Sequence, residues 1–397
     1  MSFNVGGVQL DRPFKIRRLG HFGFNVEDLE TAREFYCDLL GMKISDPIDF
    51  APNYPDVDFE GAGETVGYFL RHGADHHSFA IFPKGTLNRM MNDEVPEDMT
   101  VNQVSWHVGT MEEVFIGNDW LAEQGFAIPR IGRDSPGSNW HTYPAGPEGF
   151  LNELYAGMEQ IGWDGRSKPA DMSHKFEVPP ELPYKSEYTE VIEDEAKGAT
   201  SVEGWRHEEK LPFKFDVEGL LLPQPFKIIK VGPARLFMDD IETAVKFYSD
   251  TLGLHLTETV TYQGHNCYFF RANTEHHSLA LYPTALREVL GVTDKKCMSF
   301  GFQLGSYKQL RNAVSFMSEN GYEPVKIPAE LMPGMDYTAY FRDPDGHLIQ
   351  LYAYMAQVSA DGGLSAGKSR TVQTPWPETI EALPDEYHGE VFLGPLA

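Results

Sequence analysis

Cysteine is scarce in this chain: Cys37, Cys267 and Cys297 are the only three in 397 residues, widely separated and without a C-x-x-C pair. That usage argues against a disulfide framework or a thiolate metal site, and three buried thiols are expected. Long apolar runs are also missing, since no stretch approaches the roughly 18 residues of a membrane span. The N-terminus MSFNVGGVQLDRP lacks the basic region and apolar run of a secretory signal, so a soluble cytoplasmic enzyme is expected. Positive charge is in short supply, with 33 Lys and Arg against 59 Asp and Glu and a formal net charge of −26. With no basic cluster to reverse that field locally, neither nucleic acid nor an anionic membrane is an expected partner. No Gly-rich phosphate loop, dinucleotide fingerprint or Ser-centred nucleophile elbow occurs, which argues against nucleotide cofactors and acyl-enzyme chemistry.

What is present is enough apolar (41%) and aromatic (13%) residue to fill real cores, and a length that suits two domains. An internal repeat organises them. FNVGGVQLDRPFKIRRLGHFGFNVEDLETAREFYCDLLGM from Phe3 matches FDVEGLLLPQPFKIIKVGPARLFMDDIETAVKFYSDTLGL from Phe215. The match continues in RHGADHHSFAIFP against RANTEHHSLALYP, and closes with GPEGFLNELYAG against DPDGHLIQLYAY. Within each half, Ala32, Phe35, Tyr36, Leu39 and Leu40 stand at helical spacing and Gly41 follows as a left-handed stop. Comparable helices end at Gly125, Gly253 and Gly321. The expected fold is α+β, with four tandem βαβββ modules, two to a domain. Residues 1–158 form one domain and 225–356 the other, with a Pro- and Glu-rich connector over 159–224 and a tail over 357–397. Both arms are too polar for a core and too aromatic for a flexible linker, so they are expected to wrap the surface or a partner subunit in a homo-oligomer.

LGHFGFNVEDLETAREFYCDLLGM, SWHVGT and GPEGFLNELYAG together resemble the vicinal oxygen chelate superfamily, and within it the type I extradiol ring-cleaving dioxygenases. The resemblance implies metal ligands at His21, His107 and Glu153. Two neutral imidazoles and a carboxylate leave positions open on an octahedral Fe(II), and the same set serves Mn(II). A lone strand histidine is usually just a satisfied polar residue. Here, however, the positions matching the three are Pro233, Gln303 and Gln350, so all three ligands are lost together while the surrounding pattern survives. Such families commonly carry the metal in the C-terminal domain, whereas here the N-terminal half holds it.

The resemblance also implies an acid/base at His77, the second histidine of DHHS, and a substrate-side tyrosine at Tyr143. Both motifs recur in the other half, as His276, His277 and Tyr340, so each has a fold-level reading as well. His141 falls on the stretch that covers the substrate pocket, and reads either as a substrate contact or as a loop cap. The implied activity is extradiol cleavage of a catechol-like diol by O2. The rivals are a glyoxalase- or fosfomycin-resistance-like metal-dependent isomerase or transferase, which a His/Tyr pair disfavours, and a non-catalytic small-molecule binder, which would not need a ligand triad.

Overall fold

The computed structural model describes residues 2–91, 98–134, 137, 139–358, 375–379 and 381. The four helices implied by the glycine stops are present. Leu29–Arg33 continues as a π-helical Glu34–Leu39, and Ile241–Lys246 as a π-helical Phe247–Thr251, while Met111–Glu123 and Tyr307–Glu319 are regular. Gly41, Gly125, Gly253 and Gly321 follow them at φ of 79°, 90°, 78° and 88°, the left-handed conformation that ends a helix. The Thr110 hydroxyl accepts from Glu113 N (3.1 Å) and Ser306 from Gln309 N (3.3 Å), capping the two regular helices.

The chain divides into two compact units. The first comprises Met1–Leu29, Lys43–Pro96 and Val101–Glu208, and the second Glu30–Met42, Glu97–Thr100 and Glu209–Ala397. This division departs from the sequence repeat at one telling place, because the first half's own helix clusters with the second unit. There the Tyr36 hydroxyl donates to Asp343 Oδ2 (2.7 Å) and the Phe35 and Tyr36 rings meet Tyr322 and Phe302 edge-on.

The first unit's sheet contains β1 (Arg18–Val26), β2 (Lys43–Asp49), β3 (Val66–Arg71), β4 (Phe79–Pro83), β5 (Val101–His107), β6 (Ile131–Arg133), β7 (Trp140–Thr142) and β8 (Asn152–Ala156). Their order is β2-β3-β4-β1-β5-β8-β7-β6. This is two β-strand modules joined where β1 pairs antiparallel with β5, while β1–β4 and β5–β8 are the parallel pairs that helical crossovers produce. The second unit repeats the plan with β9 (Ile228–Met238), β10 (His255–Tyr262), β11 (His265–Arg271), β12 (Leu279–Pro283), β13 (Cys297–Leu304), β14 (Thr338–Arg342) and β15 (Leu348–Tyr352), in the order β10-β11-β12-β9-β13-β15-β14.

Period-two alternation sends Phe22, Phe24, Val104, Trp106 and Leu154 to a fully buried face, each large side chain contributing about 1.5–3 kcal/mol. All three cysteines are buried thiols. The connector up to Glu208 belongs to the first unit and wraps it. Phe176 and Arg133 exchange backbone hydrogen bonds of 2.9 Å. The Arg133 guanidinium then forks onto Glu190 at 2.8 and 2.9 Å and lies over the Trp140 and Phe176 rings. Most of the tail after 358 lies outside the described residues; Pro377 O accepts from Tyr307 Oη at 2.6 Å. Among the described residues no helix is long and apolar enough to cross a membrane.

Candidate functional site

Strands β1, β5 and β8 are neighbours at the centre of the first sheet, and alternation decides which side chains share the open face. On β5 the indole of Trp106 donates to Asn152 Oδ1 (3.0 Å) on the core face, so Gln103, Ser105 and His107 take the other. Register then places Ser105 opposite both His21 and Glu153. Glu153 is fully buried, and three groups converge on its Oε2: His21 Nε2 at 2.6 Å, Ser105 Oγ at 2.6 Å and Gln103 Nε2 at 2.9 Å. Asn139 Nδ2 donates to Oε1 at 2.8 Å. Burial alone would raise the Glu153 carboxyl, but the neighbouring His21 and His141 and the Ser105 hydroxyl outweigh it and hold it at about 2. This is an ionised carboxylate kept in place by four donors.

Of the three metal ligands expected from sequence, the structure brings His21 and Glu153 together and leaves His107 apart. In the parallel register His107 stands opposite Tyr155, two residues beyond Ser105, which at about 3.3 Å per residue is a displacement of roughly 6–7 Å along the strand. The Tyr155 ring packs against both imidazoles, at 4.8 Å from His21 and 5.2 Å from His107 between centroids. Gly20 makes room for that ring, because a Cβ there would lie 2.0 Å from the Tyr155 hydroxyl. Burial and the nearby Arg18 lower His107 to about 4. Among the described residues, no group of three or more His, Cys, Asp and Glu side chains is placed to hold a metal.

The other expected residues do gather here. The His77 ring meets His21 edge-on at 4.5 Å, and burial, followed by His21 and His76, lowers it well below an ordinary histidine. His141 is buried with its ring 4.9 Å from that of Tyr143, and burial lowers it to about 4. Its Nδ1 lies 3.8 Å from Glu153 Oε1 and its Nε2 3.8 Å from Asp134 Oδ2, and Nε2 makes no hydrogen bond among the described residues. Tyr143 is buried beneath Arg130, 4.5 Å from its ring, and burial and Glu153 raise its hydroxyl, keeping it a donor.

His76 and Asp46 are among the site residues that the sequence does not single out. His76, the first histidine of the pair, places Nε2 at 2.7 Å from Asp46 Oδ2 and Nδ1 at 3.0 Å from His77 Nδ1, all buried. His76 donates its Nε2–H to Asp46 and, in the tautomer with Nδ1 bare, accepts there. His77 therefore donates from Nδ1 and keeps a lone pair on Nε2. The second unit contains the same line as Glu258, His276 and His277, at 3.1 Å each. There Arg235 Nη2, which can only donate, lies 3.1 Å from His277 Nε2 and enforces the same proton order. The resemblance singles out the second histidine of the motif, and only the geometry shows what the first one and Asp46 do.

Arg235 is also what fills the second unit where the first has His21 against Glu153. It pairs with Ala280 as Gly23 pairs with Ala80. Completely buried, it donates to Gln350 Oε1 (2.6 Å) and Ser299 Oγ (3.4 Å) as well as to His277. Gln350 matches Glu153 and His277 matches His77, so a fixed guanidinium occupies this unit's site.

The sequence profile described as the Glyoxalase/Bleomycin resistance protein/Dioxygenase superfamily matches residues 18–154 and 230–351, one stretch in each half. The chain belongs to that superfamily. Within it, the 3-methylcatechol 2,3-dioxygenase of Pseudomonas putida is 26% identical over 165 residues, covering 41% of this chain and 50% of its own. The biphenyl-2,3-diol 1,2-dioxygenase of Paraburkholderia xenovorans is 27% identical over 149 residues, 38% of this chain and 42% of its own. This superfamily member thus spans half or less of the length of the curated relatives it matches. Among solved structures, the 2,3-dioxygenase LapB of Pseudomonas sp. KL28 superposes with a TM-score of 0.56 at 17% identity, over 88% of this chain and 96% of that one. The Mn(II)-bound glyoxalase of Novosphingobium aromaticivorans gives 0.53 at 14% identity, over 88% and 85%. At these identities the likeness is one of fold, and it confirms the tandem α+β architecture.

Proposed function

We propose that this protein is an extradiol dioxygenase that opens the ring of a catechol-like diol with O2, using a divalent cation, Fe(II) or Mn(II), in its first unit. The observation that carries the reading is the pairing of His21 with an ionised, fully buried Glu153, with His77 against His21, in one unit and not in its repeat. The relatives matched by sequence are, by name, dioxygenases of 3-methylcatechol and biphenyl-2,3-diol, in keeping with that pairing. His21 and Glu153 fit a divalent cation: an imidazole nitrogen and a carboxylate oxygen, both donor types that such an ion takes, face each other at 2.6 Å. Such an ion supplies a common template for diol and dioxygen, which turns a three-body encounter into an oriented one.

The side chains supply the rest. His77 takes a phenolic proton on Nε2, the nitrogen left open by the Asp46–His76 line, and returns it later in the cycle. Tyr143, held protonated, donates a hydrogen bond to a substrate oxygen as charge develops there. His141 contributes Nε2, which makes no hydrogen bond among the described residues, to the diol. Cleavage falls beside the diol, both atoms of O2 enter the product, and a muconic-semialdehyde-type product results. The test is anaerobic purification, reconstitution with Fe(II) or Mn(II), and oxygen electrode traces with a panel of mono- and bicyclic catechols and hydroquinones. One O2 consumed per diol with a yellow product is expected; no uptake with any member of the panel refutes the proposal.

A further inference from the structure

We infer that the third protein donor to the cation in the first unit is the side-chain amide of Gln103, in the role that sequence assigns to the His107 imidazole. The inference rests on the metal reading above and specifies its donor set.

Three observations converge on it. First, Gln103 Nε2 lies 2.9 Å from Glu153 Oε2, the oxygen that also meets His21, while His107 sits further along the strand beside Tyr155. Rotating an amide by half a turn exchanges its NH2 for its oxygen, so the group that now donates to the carboxylate presents a ligand to a cation at the same place. Second, the repeat contains a resident cation that marks the locus. Glu153 pairs with Ser105 as Gln350 pairs with Gly301, so Gln103 corresponds to Ser299 and His107 to Gln303. The Arg235 guanidinium contacts Gln350, Ser299 and His277, the counterparts of Glu153, Gln103 and His77. Third, Gln303, the counterpart of His107, turns away and donates to the Ala353 carbonyl at 2.9 Å. In both units, then, the side chain at the position of His107 makes its contacts elsewhere, and the one at the position of Gln103 meets the locus that Glu153 or Arg235 marks.

The chemical consequence is a donor set of one imidazole, one carboxylate and one amide oxygen. Relative to two imidazoles it is harder and weaker, which shifts preference toward Mn(II) and away from ions that favour nitrogen. His77, whose Nε2 is assigned the substrate proton, stays outside it.

The experiment uses the full-length protein stripped with a chelator and titrated with Mn(II), following free aquo-Mn(II) by electron paramagnetic resonance. Gln103→Ala is expected to weaken Mn(II) binding at least tenfold, and His107→Ala to leave it within about twofold. Gln103→His should tighten binding, raise the Zn(II)/Mn(II) affinity ratio and add an imidazole 14N coupling to the pulsed spectrum, a coupling pattern that His107→Ala does not change. If Gln103→Ala fails to fold, the Gln103→His and His107→Ala pair carries the test alone. Loss of Mn(II) in His107→Ala with retention in Gln103→Ala overturns the inference while leaving the metal site standing. If His21→Ala and Glu153→Ala bind Mn(II) as the parent does, the metal reading itself fails.

Discussion

Replacing Asp46 by asparagine should slow turnover without loosening the diol, because Asp46 acts on the reaction only through the direction in which two histidines share their protons. The Asp46 carboxylate accepts from His76 at 2.7 Å, a charge-assisted bond at the short end of its range. Asparagine keeps the shape but can donate as readily as accept, so the reverse order, with the His77 proton on Nε2, becomes available. A hydrogen bond to a charged group contributes about 1.5–3 kcal/mol, and at roughly 1.4 kcal/mol per factor of ten the ratio of the two orders relaxes by about ten- to a hundredfold. Turnover should fall by up to that factor, with KM little changed and 15N spectra reporting the His77 tautomer directly. The duplication provides the control: Glu258→Gln removes the same charge from the same line in the unit where Arg235 holds the order from the other end, and should leave turnover at the parental value. If Asp46→Asn turns over normally while the 15N spectra show a reversed tautomer, the proton order has no bearing on the chemistry and the reasoning fails.

Other outcomes follow from the same geometry. Metal analysis of the reconstituted protein should approach one ion per chain, since the second unit's site is filled by Arg235; a value near two would contradict that assignment. Glu190→Gln strips a buried bidentate partner from Arg133 and should cost about 3–5 kcal/mol of stability at neutral pH, read by urea denaturation and by faster hydrogen exchange over 187–196. Arg133 holds the Glu190 carboxyl below its ordinary value despite burial. The stabilisation is therefore complete above the unfolded carboxyl value and lost as pH falls through the folded one, so the gap between parent and variant should close in acid. Trp163 and Tyr188 on the connector are 101% and 75% exposed, an aromatic surface that suits contact with a second copy. Light scattering should show an oligomer that Trp163→Glu reduces, and a parent protein monomeric at micromolar concentration would contradict this.

The parts of this molecule readable from sequence are those that local chemistry or the repeat makes visible. Helices stop at Gly41, Gly125, Gly253 and Gly321 because only a residue without Cβ turns left-handed cheaply there. His21 and Glu153 could be singled out because their counterparts, Pro233 and Gln350, cannot ligate in the same way. Register is a tertiary property, and it alone decides that Ser105 and Gln103 face Glu153 while His107 passes two residues beyond. An imidazole draws attention that an amide does not, so the glutamine went unread. The inward turn of Arg235 was hidden for a related reason, since in sequence it is one cation among 33.

The helix of residues 30–42 has a consequence for how the chain is made. Its packing partners Phe302, Tyr322 and Asp343 are encoded some three hundred residues downstream, so during synthesis its apolar side waits until most of the protein has emerged. Scission at the repeat boundary would part the helix of residues 30–42 from the side chains it packs on, leaving the first fragment with an orphaned amphipathic segment and the second with an uncovered apolar bed.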